Sequence, residues 1–159
     1  RNLALYFVKN DIELIYGGAN VGIMKILADT MLENDGAVIG VMPRMLVEKE
    51  VAHLGLKKLH IVETMSERKA LIMELSDAFI TLPGGFGTLD ELFETLTLIQ
   101  THKVQPIPVL LFGQAFWERI INFDALVEEG TIASKDLKLF EYVETAEDAW
   151  EKIAEAVGL

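Results

Sequence analysis

The 159 residues include no cysteine, only four prolines and only three histidines. Without cysteine there is no disulfide scaffold, no thiolate nucleophile and no Cys-ligated zinc or iron–sulfur site. Basic side chains are scarce as well: 14 Lys and Arg stand against 25 Asp and Glu, a formal net charge of −11. Such a chain has no extended basic face for nucleic acid, so a few well-placed donors must hold any anionic ligand. No apolar run reaches the roughly 18 residues of a membrane span. His53, His60 and His102 lack metal-ligand spacing, so neither a metal site nor a membrane partner is expected. What remains is 51% hydrophobic and 25% charged, with 12 glycines. That composition fits a globular chain long enough for one domain, burying about 70% of its unfolded surface.

Residues 1–8 have no initiator Met and no signal-peptide layout. They read as the second half of an amphipathic helix ending near Lys9-Asn10, so more chain is expected upstream. The missing cysteines and the general character of the chain point to a cytoplasmic location. Short apolar runs then alternate with segments of helical period. Strands are expected over residues 12–16, 37–42, 59–62, 78–82 and 107–112, with a weaker one over 139–143. A helix with Ile23, Met24, Leu27, Ala28 and Met31 on one face is expected to end near Asn34-Asp35-Gly36, and others are expected over 66–75, 88–101, 115–129 and 146–157. The methionines and the two tryptophans, Trp117 and Trp150, read as packing residues. Strands apolar on both faces and alternating with helices predict a parallel sheet covered on both sides. The fold class is α/β, a Rossmann-like doubly wound parallel sheet forming a single domain over residues 1–159. In such sheets ligands sit beyond the carboxyl ends of the strands.

Three turns at those ends could carry chemistry. Leu82-Pro83-Gly84-Gly85-Phe86-Gly87-Thr88-Leu89-Asp90-Glu91 puts three glycines between a strand and a helix. Backbone N–H groups there can approach a ligand closely, and the helix start adds positive charge, which makes an anion site. It lacks the Gly-Lys-Ser/Thr of a Walker motif. Thr88 and Glu91 also fit a Thr-x-x-Glu capping box, which leaves the glycines without an explanation. Asp90 and Glu91 either complement the helix dipole or serve as a base or as a carboxylate facing a cationic transition state. In the second turn, Met65-Ser66-Glu67-Arg68-Lys69, Ser66 reads as an N-cap. Arg68 and Lys69 then fall in the first helical turn, where cations oppose the dipole unless an anion lies nearby. The third, Gly17-Gly18-Ala19-Asn20-Val21-Gly22, is similar to a dinucleotide fingerprint. No acidic residue closes the second strand, which ends Met42-Pro43-Arg44, so a tight turn lining the same crevice is the better reading.

Together these segments resemble the LOG ("lonely guy") family of cytokinin-activating phosphoribohydrolases, often labelled lysine decarboxylases. Its signature Pro-Gly-Gly-x-Gly-Thr-x-x-Glu is matched in full by Pro83, Gly84, Gly85, Gly87, Thr88 and Glu91. Its Met-x-x-Arg-Lys element is matched by Met65, Arg68 and Lys69, and its Tyr-Gly-Gly-Gly turn in part by Tyr16, Gly17 and Gly18. The resemblance runs from about Ile12 to Lys103, and more loosely to the end.

The resemblance implies hydrolysis of the N-glycosidic bond of a nucleoside 5′-monophosphate, AMP or an N6-modified AMP, to the free base and ribose 5-phosphate. It implies no cofactor and a homodimer or larger homo-oligomer. Arg68 and Glu91 would be the catalytic residues. Gly84, Gly85, Phe86, Gly87 and Thr88 would hold the phosphate. Leu89, Asp90, Lys69, Thr97, Gly17, Gly18 and the carboxylate Glu50 would complete the substrate contacts. The family's first strand, with a Cys-Gly-Ser-Ser-like turn, is expected ahead of Arg1; without it the sheet would have a gap. Ala19 and Lys25 stand where the family has glycine. Two other readings share the glycine loop or the label: a carrier of a nucleotide or molybdopterin-like ligand, and an amino-acid decarboxylase. The latter lacks a lysine in a suitable pyridoxal-phosphate setting.

Overall fold

Among residues 1–49 and 52–159, which the computed structural model describes, six strands pair in parallel as two three-stranded sheets. The first sheet runs in the order β1 (Leu14–Tyr16), β2 (Val38–Pro43) and β3 (Lys58–Val62), within the unit Arg1–Ser76. The second runs β4 (Phe79–Thr81), β5 (Val109–Phe112) and β6 (Glu141–Val143), within the unit Asp77–Leu159. The α/β class and the parallel pairing are as the alternation of patterns predicts. Within each sheet the middle strand, β2 or β5, pairs on both sides.

The first unit contains α1 (Asn2–Lys9), α2 (Gly22–Glu33), the short α3 (Arg44–Val47) and α4 (Met65–Leu75). All six residues of β2 are buried, so both faces of the central strand are covered. Leu3, Ala4 and Phe7, spaced to fall on one side of α1, are buried, as are Ala28 and Met31 of α2. Ile23 and Met24, expected on the core face of α2, are instead exposed, with Ile26 beside them. The helix is buried only through its second half. Met45 and Met65 are exposed too, so the reading of every methionine as core holds for Met31 and Met42 but not for these.

The second unit contains α5 (Phe86–Gln100), α6 (Gln114–Ile120), α7 (Phe123–Glu128), a 3-10 helix (Ser134–Leu139) and α8 (Ala146–Val157). Leu92, Leu96 and Ile99 recur at four- and three-residue steps along α5 and pack with Val109, Leu111, Trp117, Phe123 and Phe140. Trp117 is fully buried, and its indole N–H donates to the Phe112 carbonyl at 3.0 Å, so the one polar atom of the ring is satisfied. The single helix expected over 115–129 is divided. Ile121 is extended, and the Asn122 side chain accepts from the Ala125 N–H at 3.0 Å, which starts α7 as a new helix. In α8 the expected span is observed, opened by Thr145 accepting from the Asp148 N–H and closed by left-handed Gly158.

Trp117→Ala removes a fully buried ring from this core and should lower unfolding free energy by about 3–5 kcal/mol. Ile120→Ala, at an exposed position three residues on, should change it by less than about 0.5 kcal/mol. Urea unfolding of the two variants against the parent checks the contrast.

Candidate functional site

The glycine motif lies where β4 ends and α5 begins. Gly85 is the N-cap of α5, with no side chain capping it, and Phe86, Gly87 and Thr88 are the first three helical residues. Their N–H groups have no acceptor inside the helix, and the first bond closing back is Leu89 N–H to the Gly85 carbonyl at 3.0 Å. Thr88 is therefore not an N-cap, and the Thr-x-x-Glu box expected from the sequence does not form. Asp90 and Glu91 fall in the second turn, leaving the first without an acidic residue. The positive end of the helix is thus not neutralised by a carboxylate in its own first turn, which suits an anion from outside.

The three glycines of the motif are glycine for different reasons. A Cβ on Gly84 would collide with the Thr88 side chain, so that residue serves the packing of the loop itself. At Gly85 and Gly87 a Cβ would meet nothing within 4 Å, and neither residue has a left-handed backbone. Nothing in the unit's own packing demands glycine at those two positions. The space they leave is what a ligand needs to reach the backbone N–H groups. Phe86 between them is 93% exposed. Glu91 is half-buried, whereas Thr97 is exposed and turns its hydroxyl back to the Phe93 carbonyl at 2.7 Å.

In the first unit, α4 begins one residue earlier than expected. Its N-cap is Thr64, not Ser66, and the Thr64 hydroxyl accepts from the Glu67 N–H at 3.1 Å. The Glu67 carboxylate accepts in turn from the Glu63 N–H at 2.8 Å, and Glu63 forms a paired bond with Arg44 just after β2. Arg68 and Lys69, both half-buried, therefore sit in the second turn, where the dipole is weak. The conflict inferred from the sequence disappears. Arg68 has a structural setting instead: its Nε donates to the Val41 carbonyl at 3.1 Å, and its guanidinium fills the place a Cβ on Gly17 would take. A side chain at Gly17 would displace the Arg68 guanidinium from this place.

Gly18 follows with φ at +76°, and its α-carbon faces Gly40 of β2. Ala19, where the resemblance expects glycine, is buried and bridges to Ala52. Lys25, the other departure, pairs with Asp29 at 2.8 Å, and Asp29 also meets the ring of buried His53 at 2.8 Å. Hydrogen bonds from Lys25 and then His53 hold the Asp29 carboxyl below its usual range. The Tyr16 hydroxyl is buried without a hydrogen-bond partner among the described residues; burial first, and the Asp29 charge second, push it up to about 12. Glu50 lies outside the described residues. The structure thus brings Arg68 to Gly17 and Thr88 to Gly84. The Val41 carbonyl and the Asp29–His53 pair were not legible from spacing, because partners 27 and 24 residues apart carry no local signal.

Residues 24–153 match the family model described as a possible lysine decarboxylase. The chain is 51% identical over 116 residues to a cytokinin riboside 5′-monophosphate phosphoribohydrolase of Rhodococcoides fascians, covering 72% of this chain and 59% of that protein. It is 35% identical over 161 residues to the probable cytokinin riboside 5′-monophosphate phosphoribohydrolase LOGL3 of Oryza sativa subsp. japonica, covering 98% of this chain and 74% of that one. The chain therefore spans well under two thirds of the bacterial relative. Among solved structures, the molybdenum cofactor binding protein of Rippkaea orientalis superposes with a TM-score of 0.71 at 21% identity, over 98% of this chain and 84% of that one. At that identity the likeness concerns the fold alone.

Two measurements follow from this geometry. Gly87→Ala should raise the thermal midpoint, since alanine favours a helix by up to about 1 kcal/mol over glycine. It should also lose most of the stabilisation that added inorganic phosphate gives the parent. Equal protection of both proteins would mean that the open space does not serve an anion. For Tyr16, a folded-state value near 12 against an ordinary one near 10 means that its contribution is complete below about pH 10 and is lost as pH rises toward 12. Tyr16→Phe should flatten that loss in unfolding curves without lowering stability at neutral pH.

Proposed function

This chain belongs to the LOG family, and we propose that it hydrolyses the N-glycosidic bond of a nucleoside 5′-monophosphate, releasing the free base and ribose 5-phosphate. The observation that carries the reading is the start of α5: uncapped N–H groups and two glycines with open space before them, a turn ahead of a half-buried glutamate. The relatives' names specify a riboside 5′-monophosphate of a cytokinin, so AMP and N6-modified AMP are the substrates to test. We take residues 1–159 as one nucleotide-binding domain acting as a homodimer or larger assembly, with no cofactor required.

In this mechanism the phosphate rests on the N–H groups of Gly85 to Thr88, which anchors the ribose. Asp90, Leu89 and Thr97 flank it along α5, and Lys69, Glu50 and the Gly17–Gly18 turn supply the remaining contacts. Breaking the bond from C1′ to the base nitrogen leaves positive charge on the ribose ring. The Glu91 carboxylate stabilises that charge and takes a proton from the attacking water, whose oxygen becomes the C1′ hydroxyl. The departing nitrogen receives a proton as the base leaves. Arg68 holds the ribose hydroxyls or offsets the phosphate charge. Its bond to the Val41 carbonyl and its place against Gly17 orient the guanidinium.

The test incubates the intact protein with AMP and with N6-isopentenyl-AMP and separates base from ribose 5-phosphate by chromatography. Glu91→Ala and Arg68→Ala should each lower kcat/KM by at least about a hundredfold with the fold retained by circular dichroism. A variant keeping near-parental rates would remove that residue from the mechanism. Calorimetric binding of AMP with no product would favour the carrier reading.

A further inference from the structure

We propose that His53, held by Asp29, is a positioning residue that fixes the Gly17–Gly18 turn on which Arg68 rests. Both ring nitrogens of His53 are committed inside the first unit. Nδ1 accepts from the Gly55 N–H at 3.1 Å, so the ring proton sits on Nε2 and donates to Asp29 Oδ1 at 2.8 Å. The other Asp29 oxygen takes Lys25 at 2.8 Å, so the carboxylate is aimed from two sides. An imidazole used in this way has no nitrogen left for a metal or for proton transfer.

The ring anchors the segment that leads into β3. From Ala52 to Lys58 only His53 is buried, and Leu54 beside it is 96% exposed. The backbone of the same residue makes the functional connection. His53 N–H donates to the Gly18 carbonyl at 2.9 Å, and Ala52 bridges to Ala19. On its other side Gly18 is tightly packed: a Cβ there would meet Leu59 at 3.2 Å and Met42 at 3.5 Å. Gly17, the preceding residue, is the one the Arg68 guanidinium covers. Asp29, His53, Gly18, Gly17 and Arg68 thus form an unbroken series of contacts from α2 to the proposed catalytic arginine. Lys25, a departure from the family's glycine, belongs to the same series.

The kinetic part of the test rests on the proposed hydrolysis, and a second readout does not. In the intact protein, His53→Gln can still place an N–H on Asp29, whereas His53→Asn can replace only the bond from Gly55. Asn should raise KM for AMP about tenfold or more, since displacements of an ångström in supporting groups commonly cost that much. Gln should stay within about threefold of the parent. A purely structural loss would shrink the folded fraction and the apparent kcat while leaving KM where it was. Hydrogen exchange supplies the independent readout: the residue 53 amide should exchange faster in the Asn variant and at the parental rate in the Gln variant. If the parent does not hydrolyse AMP, the functional reading fails and exchange alone decides. Matching behaviour of Asn and Gln, or unchanged KM and exchange in the Asn variant, overturns the proposal.

Discussion

The Arg68 guanidinium takes the space that a Cβ on Gly17 would fill, and several contacts of the first unit converge on that place. Arg68 reaches Gly17 because α4 starts at Met65, capped by Thr64 and tied through Glu63 and Glu67 to the end of β3. It stays there because its Nε has the Val41 carbonyl. The turn beneath it is confined by Gly40, Leu59 and Met42 on one side and by the 52–55 segment on the other. A cation that looked misplaced in a helix start is instead one of the better-supported side chains of the unit.

The second unit solves a different problem at the start of α5. A helix N-terminus usually has a side-chain oxygen or an acidic first turn to satisfy its N–H groups, as Thr145 and Asp148 do for α8. α5 has neither, and two of its glycines face open space. A helix start without either device is suited to an anion from outside, which is the reading proposed for it. The buried face of the same helix, Leu92, Leu96 and Ile99, is packed conventionally and gives the site a rigid base.

Much of this was legible along the chain. The alternation of apolar runs and helical periods specified the α/β class, and the glycine motif falls at a strand-to-helix junction as its spacing predicts. Boundaries were less legible: Ser66 and Thr88 look like caps because serine and threonine often are, but Thr64 and Gly85 hold those places. The 115–129 helix read as continuous because Ile121 and Asn122 do not break the periodicity, whereas the extended backbone at Ile121 and the bond from Ala125 to Asn122 divide it.

By itself, then, the sequence determined the fold class, the family and the position of the glycine motif, because these depend on residue type and on spacing within a few turns. Tertiary structure decided which glycines serve packing and which leave room for a ligand, why Arg68 sits where it does, and what His53, Asp29 and Lys25 do together. The places of Arg68 and His53 depend on which atoms meet across 24 to 51 residues of chain, and no local pattern encodes such meetings.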